Sequence, residues 1–356
     1  VPVKGLAAGQ RALIYDRNPE NGGTATAANI EITYWVRFGY ISRRKMSVFN
    51  LKFLNFMQYF GFQSTSYYHS DAPANYDADD PLAYYIDHSP RSFFEGQFDP
   101  EGLPLYSHQG RGVILTVHNI LYALGSCEQF RQTKNELNRQ NFLKVAGWLV
   151  KTQDENGGWK SEGVMPKFGL HRPFYSSMIQ GMAISTLVRA AQLTGQNNFI
   201  ECALKALRLF QIEVTSGGVS RTIDGQVFYE EYPSEKKHHV LNGFIYSIWG
   251  LLDLIRYNDN ALARQLWEEG LNTLSQWLPQ YDMGYWSLYH IGEGLKNPAT
   301  IPYHKLHIEQ LRAMYEITGQ KIFQIYAEKW AVYLNGPFNA LKTLPQKMLW
   351  NLARGL

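Results

Sequence analysis

Cysteine is nearly absent. Cys127 and Cys202 are the only two in 356 residues, and they form no metal or redox spacing. They suit one disulfide or two small buried side chains, the second being the more usual outcome. Charge is sparse as well: 18% of residues are charged and the net charge is +3. That balance is too small to argue for a nucleic-acid partner, but it admits an anionic one if basic side chains converge. No run of about 18 apolar residues occurs, so no transmembrane helix and no membrane partner are expected. The chain opens at Val1 without a signal-peptide pattern, which leaves the compartment open.

What is abundant is apolar and aromatic. Hydrophobic residues make up 45% of the chain and aromatic ones 14%, enough for a globular protein with a sizeable core. Most of these rings serve that core. Some suit the apolar C–H face of a pyranose.

Residues 1–110 read as a mixed region. Segment 28–42 leans toward β structure, 47–60 has helical spacing, and 64–110 is rich in Ser, Asp, Pro, Gly and Tyr. Loops that long are often functional, so this region is expected to form part of a cleft, separable from the helices that follow. From about residue 113 the period becomes helical. Helices are predicted at 114–125, 138–153, 176–194, 198–212, 240–257, 261–277, 303–318 and 321–334. Gly195 and Gly319 stand where C-terminal caps belong. Short connections pair such helices antiparallel. The predicted fold is mainly α: an incomplete α/α barrel (toroid) over 111–356, behind a β-hairpin and loop-containing N-terminal region. No exact repeat marks the ring, which is inferred from the helix count.

Gln153 to Trp159 form a Q-D-x-x-G-G-W element after a helix. This element recurs in several α/α-barrel families, including terpenoid cyclases. Its expected task is structural, with Gly permitting a tight turn and Trp packing on a helix end. No D-D-x-x-D or D-x-D-D motif accompanies it, which weakens the cyclase reading.

The chemistry-bearing constellation lies further on. Phe228-Tyr229-Glu230-Glu231-Tyr232-Pro233 precedes Val240-Leu241-Asn242-Gly243-Phe244-Ile245-Tyr246-Ser247. Tyr289 closes an aromatic run, and Tyr303-His304-Lys305-Leu306-His307 opens a predicted helix. Taken alone, Glu230-Glu231 would be a solvated acidic turn. Flanked by tyrosines and an apolar helix, it reads as a site. Together with Tyr175 to Ala190, these strings resemble the C-terminal domain of the heparan sulfate and heparosan glucuronyl C5-epimerases, over roughly residues 140–335. Two departures stand out. A β-rich insertion of the animal proteins is essentially absent. Where their motif continues D-L-R-H after the tyrosine matched by Tyr289, this chain has His290-Ile291-Gly292-Glu293, leaving open the preference between N-sulfated and N-acetylated polymer.

The resemblance implies C5 inversion of glucuronate within an acidic polysaccharide, by a homodimer without a cofactor. It implies catalytic roles for Glu231, Tyr232, Tyr289 and Tyr303. Removing a hydrogen α to a carboxylate builds charge on an anion, so positioned donors are needed. Two proton carriers on opposite faces of the ring are the simplest design; Glu231 and Tyr303 are assigned those places, with Tyr232 and Tyr289 as donors or relays. Substrate-binding roles are expected for His304, Lys305 and His307, which are close to Tyr303, and for Arg172, Tyr175 and Asn242. Lys167, near Arg172, is a further candidate for polymer carboxylates. Asn242 and Gly243 also suit helix packing. His238-His239 is expected at a substrate rim or as a solvated pair. No metal is expected, since His304, His307 and Glu309 on one helix do not converge. The alternatives are a uronate polysaccharide lyase, which shares the first step but expels the C4 oxygen, and a non-catalytic glycan-binding protein on the same scaffold.

Overall fold

The computed structural model describes residues 73–108, 111–336 and 338–353. The segments read as β-leaning at 28–42 and helical at 47–60 lie outside the described residues.

Helical hairpins dominate. Helix α1 (Thr116–Thr133) pairs with α2 (Glu136–Thr152), α3 (Ser177–Thr194) with α4 (Asn197–Gln211), α5 (Leu241–Asn258) with α6 (Ala261–Trp277), and α7 (Ile301–Thr318) with α8 (Lys321–Asn335). Each connection is two residues long and forces an antiparallel return. Its first residue is always left-handed: Lys134 at φ 56°, Gly195 at 70°, Asp259 at 50° and Gly319 at 66°. The N–H of each bonds the carbonyl four residues back, at 2.7 to 2.9 Å. Asn135 and Asn260 then cap α2 and α6, accepting from Leu137 N and Ala263 N at 2.9 Å. Such a cap contributes about 1 kcal/mol.

Helices α1, α3, α5 and α7 therefore run the same way and form the inner wall. Helices α3 and α5 are buried on nearly every side. They cross backbone to backbone: a Cβ on Gly181 would lie 2.5 Å from Ser247 Cα, and one on Gly250 would lie 2.2 Å from the Gly181 carbonyl oxygen. Ser247 Oγ also bonds Ser177 Oγ across this crossing, at 2.8 Å. The outer helices bury one stripe each; α4 turns Phe199, Ala203, Ala206 and Phe210 inward. The result is an incomplete α/α barrel.

Most helix ends fall within about two residues of those predicted, and two larger differences stand out. Helix α1 continues past Gly125, whose missing side chain is a close-approach device: a Cβ there would sit 2.4 Å from the His88 carbonyl oxygen. A ninth described helix, α9 (Asn339–Leu352), was not predicted, because Pro345 stands inside it and interrupts the helical signal. Both cysteines are free and buried.

The N-terminal described segment is woven into this body. Tyr84, Tyr85 and Ile86 belong to the helical core. The Arg189 guanidinium bonds the carbonyls of Leu82 and Ala83 at 3.2 and 2.6 Å while pairing with Asp253 at 2.7 Å. Tyr85 Oη donates to Asp253 Oδ1 at 2.8 Å. This segment completes a buried ion pair between α3 and α5. Strands β1 (Gln97–Phe98), β2 (Pro104–His108) and β3 (Arg111–Val113) follow as an antiparallel meander.

The remaining strands lie in the links that feed α3, α5 and α7. Strands β4 (Lys160–Ser161) and β5 (Phe174–Tyr175) pair before α3. Strands β6 (Ser220–Ile223) and β7 (Gln226–Tyr229) form a hairpin whose turn, Asp224-Gly225, has positive φ at both residues, the geometry that matches strand twist. Strand β8 (His238–Val240) pairs with the central β9 (Leu288–Gly292), and β10 (Asn297–Pro298) completes that sheet. No described helix is long and apolar enough to cross a membrane.

Candidate active site

Because the inner helices are parallel, the links that feed them gather at one end of the barrel. Phe168 and Phe174 come from the link before α3, and Tyr232 from the link before α5. Tyr289 comes from β9 and Tyr303 from the first turn of α7. They pack into one cluster with Val240, Ala299 and Trp350. Helix N-termini converging here favour negative charge.

Glu231 sits at the centre, 3% exposed. Its carboxyl rests over α5 at Gly243, where a Cβ would lie 2.1 Å from Oε2. Burial raises the carboxyl to about 7, while the Tyr232 hydroxyl, the Lys167 charge and the Tyr289 hydroxyl act in the opposite direction. Oε2 has no hydrogen-bond partner among the described residues. Burial, with the Glu231 charge adding to it, holds the Tyr232 and Tyr289 phenols well above their ordinary range. Phe168 stacks on Tyr232 with centroids 4.1 Å apart, and Tyr303 meets Tyr289 edge-on at 4.7 Å. Glu231, Tyr232, Tyr303 and Asn242 line one open cleft.

The other expected residues are placed differently. His304 and His307 are fully buried. Both Nδ1 atoms meet Ser287 Oγ, at 2.7 and 3.0 Å. His304 Nε2 lies 3.0 Å from the Trp330 carbonyl oxygen, and its ring stacks on Trp286 at 3.8 Å. Burial lowers His304 to about 4 and holds His307 well below its ordinary range. These two face the packing behind α7, not the cleft. Tyr175 is tied into the Q-D-x-x-G-G-W turn: its hydroxyl donates to Asp154 Oδ2 and accepts from Asn156 Nδ2 at 3.0 Å. In that turn Gly157 has φ 85°, and Trp159 Nε1 donates to the Leu149 carbonyl at 2.9 Å. Arg172 is exposed on the β4–β5 link, and Lys305 is half-buried on α7.

The pair His238-His239 needs correction. Both are buried on β8, neither solvated nor at a rim. His238 packs on Phe168 and His290, and His239 Nδ1 lies 2.9 Å from Glu230 Oε1. Sequence reading also missed several groups around the site. His88, Ser176 and Tyr246 line the cleft. Trp350 and Lys347 arrive from the unpredicted α9; Lys347 Nζ bonds Asn297 Oδ1 at 2.6 Å and the Pro298 carbonyl at 3.1 Å. Burial, reinforced by Lys167, lowers Lys347 to about 7. Among the described residues no three His, Cys, Asp or Glu side chains converge as a metal site.

Comparison with known proteins gives a consistent picture. A family model described as the D-glucuronyl C5-epimerase C-terminus matches residues 153–332. The D-glucuronyl C5-epimerase of Caenorhabditis elegans is 34% identical over 223 residues, covering 57% of this chain and 36% of that protein. The chain thus spans little more than a third of that relative's length. An uncharacterized protein of Methanocaldococcus jannaschii is 28% identical over 241 residues, 62% of this chain and 77% of that one. Among solved structures, the cellobiose 2-epimerase of Bacillus thermoamylovorans matches with a TM-score of 0.51 at 12% identity, over 69% of this chain and 67% of that one. That last likeness concerns the fold.

Proposed function

This chain belongs to the D-glucuronyl C5-epimerase family, and from that membership and the site's geometry we propose that it inverts C5 of D-glucuronate residues to L-iduronate within a heparosan-like acidic polysaccharide. One observation carries the reading. Glu231 and Tyr303, supplied by different elements, line a single cleft, and the Tyr232 and Tyr289 phenols are close enough to the Glu231 carboxyl to act on its charge.

Glu231 is the proposed base. A carboxyl near 7 is divided between its two forms at neutral pH, where general acid–base catalysis is most efficient. Tyr303 delivers a proton to the opposite face of C5. After one turnover Glu231 holds the abstracted proton and Tyr303 is left as phenolate. Tyr289, near the Glu231 charge and packed against Tyr303, is the relay that restores both. Tyr232 and Tyr289 remain neutral phenols, so they act as hydrogen-bond donors to the carboxylate and to the developing enediolate. The uronate carboxylate is met by Lys167, whose charge already acts on Glu231. Arg172 and Lys305 are assigned to carboxylates further along the polymer, and the assembly is a homodimer.

Incubation with heparosan in deuterated water tests this. Deuterium at C5 together with an iduronate signal in NMR is expected. Unsaturated chain ends would make the protein a lyase. No exchange with any uronate polymer would leave a glycan-binding protein.

A further inference from the structure

Beyond Glu231 and Tyr303 the cleft wall is largely apolar, with Val117, Leu121, Ile179 and Met182 among its members. Besides Ser161 and the tyrosines, three buried polar residues interrupt it: His88, Ser176 and Asn242. They are 4%, 3% and 3% exposed, and each leaves hydrogen-bonding capacity unused. Ser176 stands at the N-cap position of α3, where a serine oxygen ordinarily accepts a helix N–H. It makes no such bond, and its Oγ has no partner among the described residues. Asn242 opens α5 and is engaged only through its backbone carbonyl, which accepts from Gln310 Nε2 at 3.1 Å; its side-chain Oδ1 has no partner there. His88 reaches Tyr246 Oη through Nε2 at a long 3.4 Å, and its Nδ1 has no partner there.

A buried polar group without a partner costs about 1–3 kcal/mol. Protein interiors rarely contain such groups, and three bordering one cleft call for an explanation. Their chemistry is neutral. Burial, with the charge of Arg91 adding to it, lowers His88 to about 3. Among the described residues no lysine or arginine lines the cleft beside these three, and Lys167 lies over Phe168 on the Glu231 side.

We infer that His88, Ser176 and Asn242 form a subsite for an uncharged sugar ring, the neighbour of the reacting uronate in the polymer, and that this subsite disfavours a sulfated ring. The inference rests on the reading of the chain as an epimerase of a uronate polymer. A pyranose carries hydroxyl or acetamido groups around an apolar C–H face, which matches neutral polar side chains set among valine, leucine, isoleucine and methionine. A sulfo group in the same place would be a charge buried without a lining cation.

Isothermal titration of the full chain tests this, using short oligosaccharides that alternate glucuronate with either N-acetylglucosamine or N-sulfoglucosamine. The N-acetylated form is expected to bind about tenfold more tightly or better. Ser176→Ala, Asn242→Ala and His88→Ala should each weaken that binding by roughly five- to tenfold. In Ser176→Ala and Asn242→Ala the melting temperature should hold or rise, because an unpartnered polar atom is removed. A purely structural role would do the opposite, lowering the melting temperature and leaving binding alone. Equal or tighter binding of the N-sulfated form, unchanged binding in the serine and asparagine variants, or no binding of either oligosaccharide would overturn the subsite. Exchange at C5, followed in parallel, separates the two ideas: binding that depends on these residues without exchange would sink the epimerase reading and leave the subsite standing.

Discussion

Glu230 and Glu231 are adjacent in the chain but serve different structures. Glu230 Oε1 accepts from Arg221 Nε at 2.7 Å and lies 2.9 Å from His239 Nδ1, while Arg221 also bonds the Ser234 carbonyl at 2.6 Å. This buried triad fixes the turn that follows. The backbone is pinned between the two roles, with Glu230 N bonded to the Val219 carbonyl at 2.7 Å and Ser177 N to the Glu230 carbonyl at 3.0 Å. Glu231 is thereby turned into the cleft.

The two glutamates should therefore respond oppositely to amidation. Glu230→Gln breaks a buried charge cluster and is expected to cost about 3 kcal/mol or more of stability in chemical denaturation. Glu231→Gln removes a desolvated carboxyl and should leave stability equal or higher, while turnover falls by about 10²-fold or more. Equal losses of stability in both variants would refute this division.

The pH dependence has two parts. Turnover at low substrate should rise with pH through about 7, as Glu231 loses its proton and becomes the base. Stability follows other groups. Burial lowers His88 and His118 to about 3 and His304 to about 4. The folded state keeps them neutral, so their contribution is complete above 6.5 and is lost as pH falls below it. Glu231 opposes them: raised from 4.5 to about 7, it stabilises the folded state most at low pH and loses that contribution as pH rises through this interval. Three histidines outweigh one carboxyl. The denaturation midpoint should drop between pH 7 and 5, and more steeply in Glu231→Gln. A flat profile would contradict this.

Gly243→Ala isolates carboxyl placement. In an ordinary helix this exchange gains up to about 1 kcal/mol. Here the new methyl meets Glu231 Oε2 at 2.1 Å and Cβ at 2.8 Å. Turnover is expected to fall by at least about tenfold, while circular dichroism shows the helices intact. Wild-type kinetics in this variant would displace Glu231 from the mechanism.

Much of the fold was legible because apolar residues at helical spacing mark the paired helices, and Gly195 and Gly319 mark two of the four hairpin turns. The other two turns use Lys134 and Asp259 in the same left-handed conformation, a choice no propensity announces. Gly125 resembled a stop and is a contact point instead, and Pro345 hid α9. At the site, Glu231, Tyr232, Tyr289 and Tyr303 were found through long family strings, not by spacing. Spacing alone placed His304 and His307 beside Tyr303. It carries no information on which face of α7 meets the substrate, and Ser287, Trp286 and Trp330 turn that face inward.

The threading of the N-terminal segment has its own consequence. Deleting residues 73–92 removes the carbonyls that hold Arg189 and the hydroxyl that bonds Asp253. The pair Arg189–Asp253 would remain buried with fewer partners, at a cost of several kcal/mol. Loss of cooperative helical unfolding by circular dichroism is expected. A cooperative, near-native transition would show that the segment is dispensable to the core.

The central claim is that Glu231 and Tyr303 address opposite faces of C5. The most direct measurement is C5 isotope exchange in deuterated water by Tyr303→Phe, run separately from the glucuronate and the iduronate polymer. The account predicts deuterium entering one epimer with retention and almost no inversion, since Glu231 still works its own face. Undiminished inversion by Tyr303→Phe would contradict it.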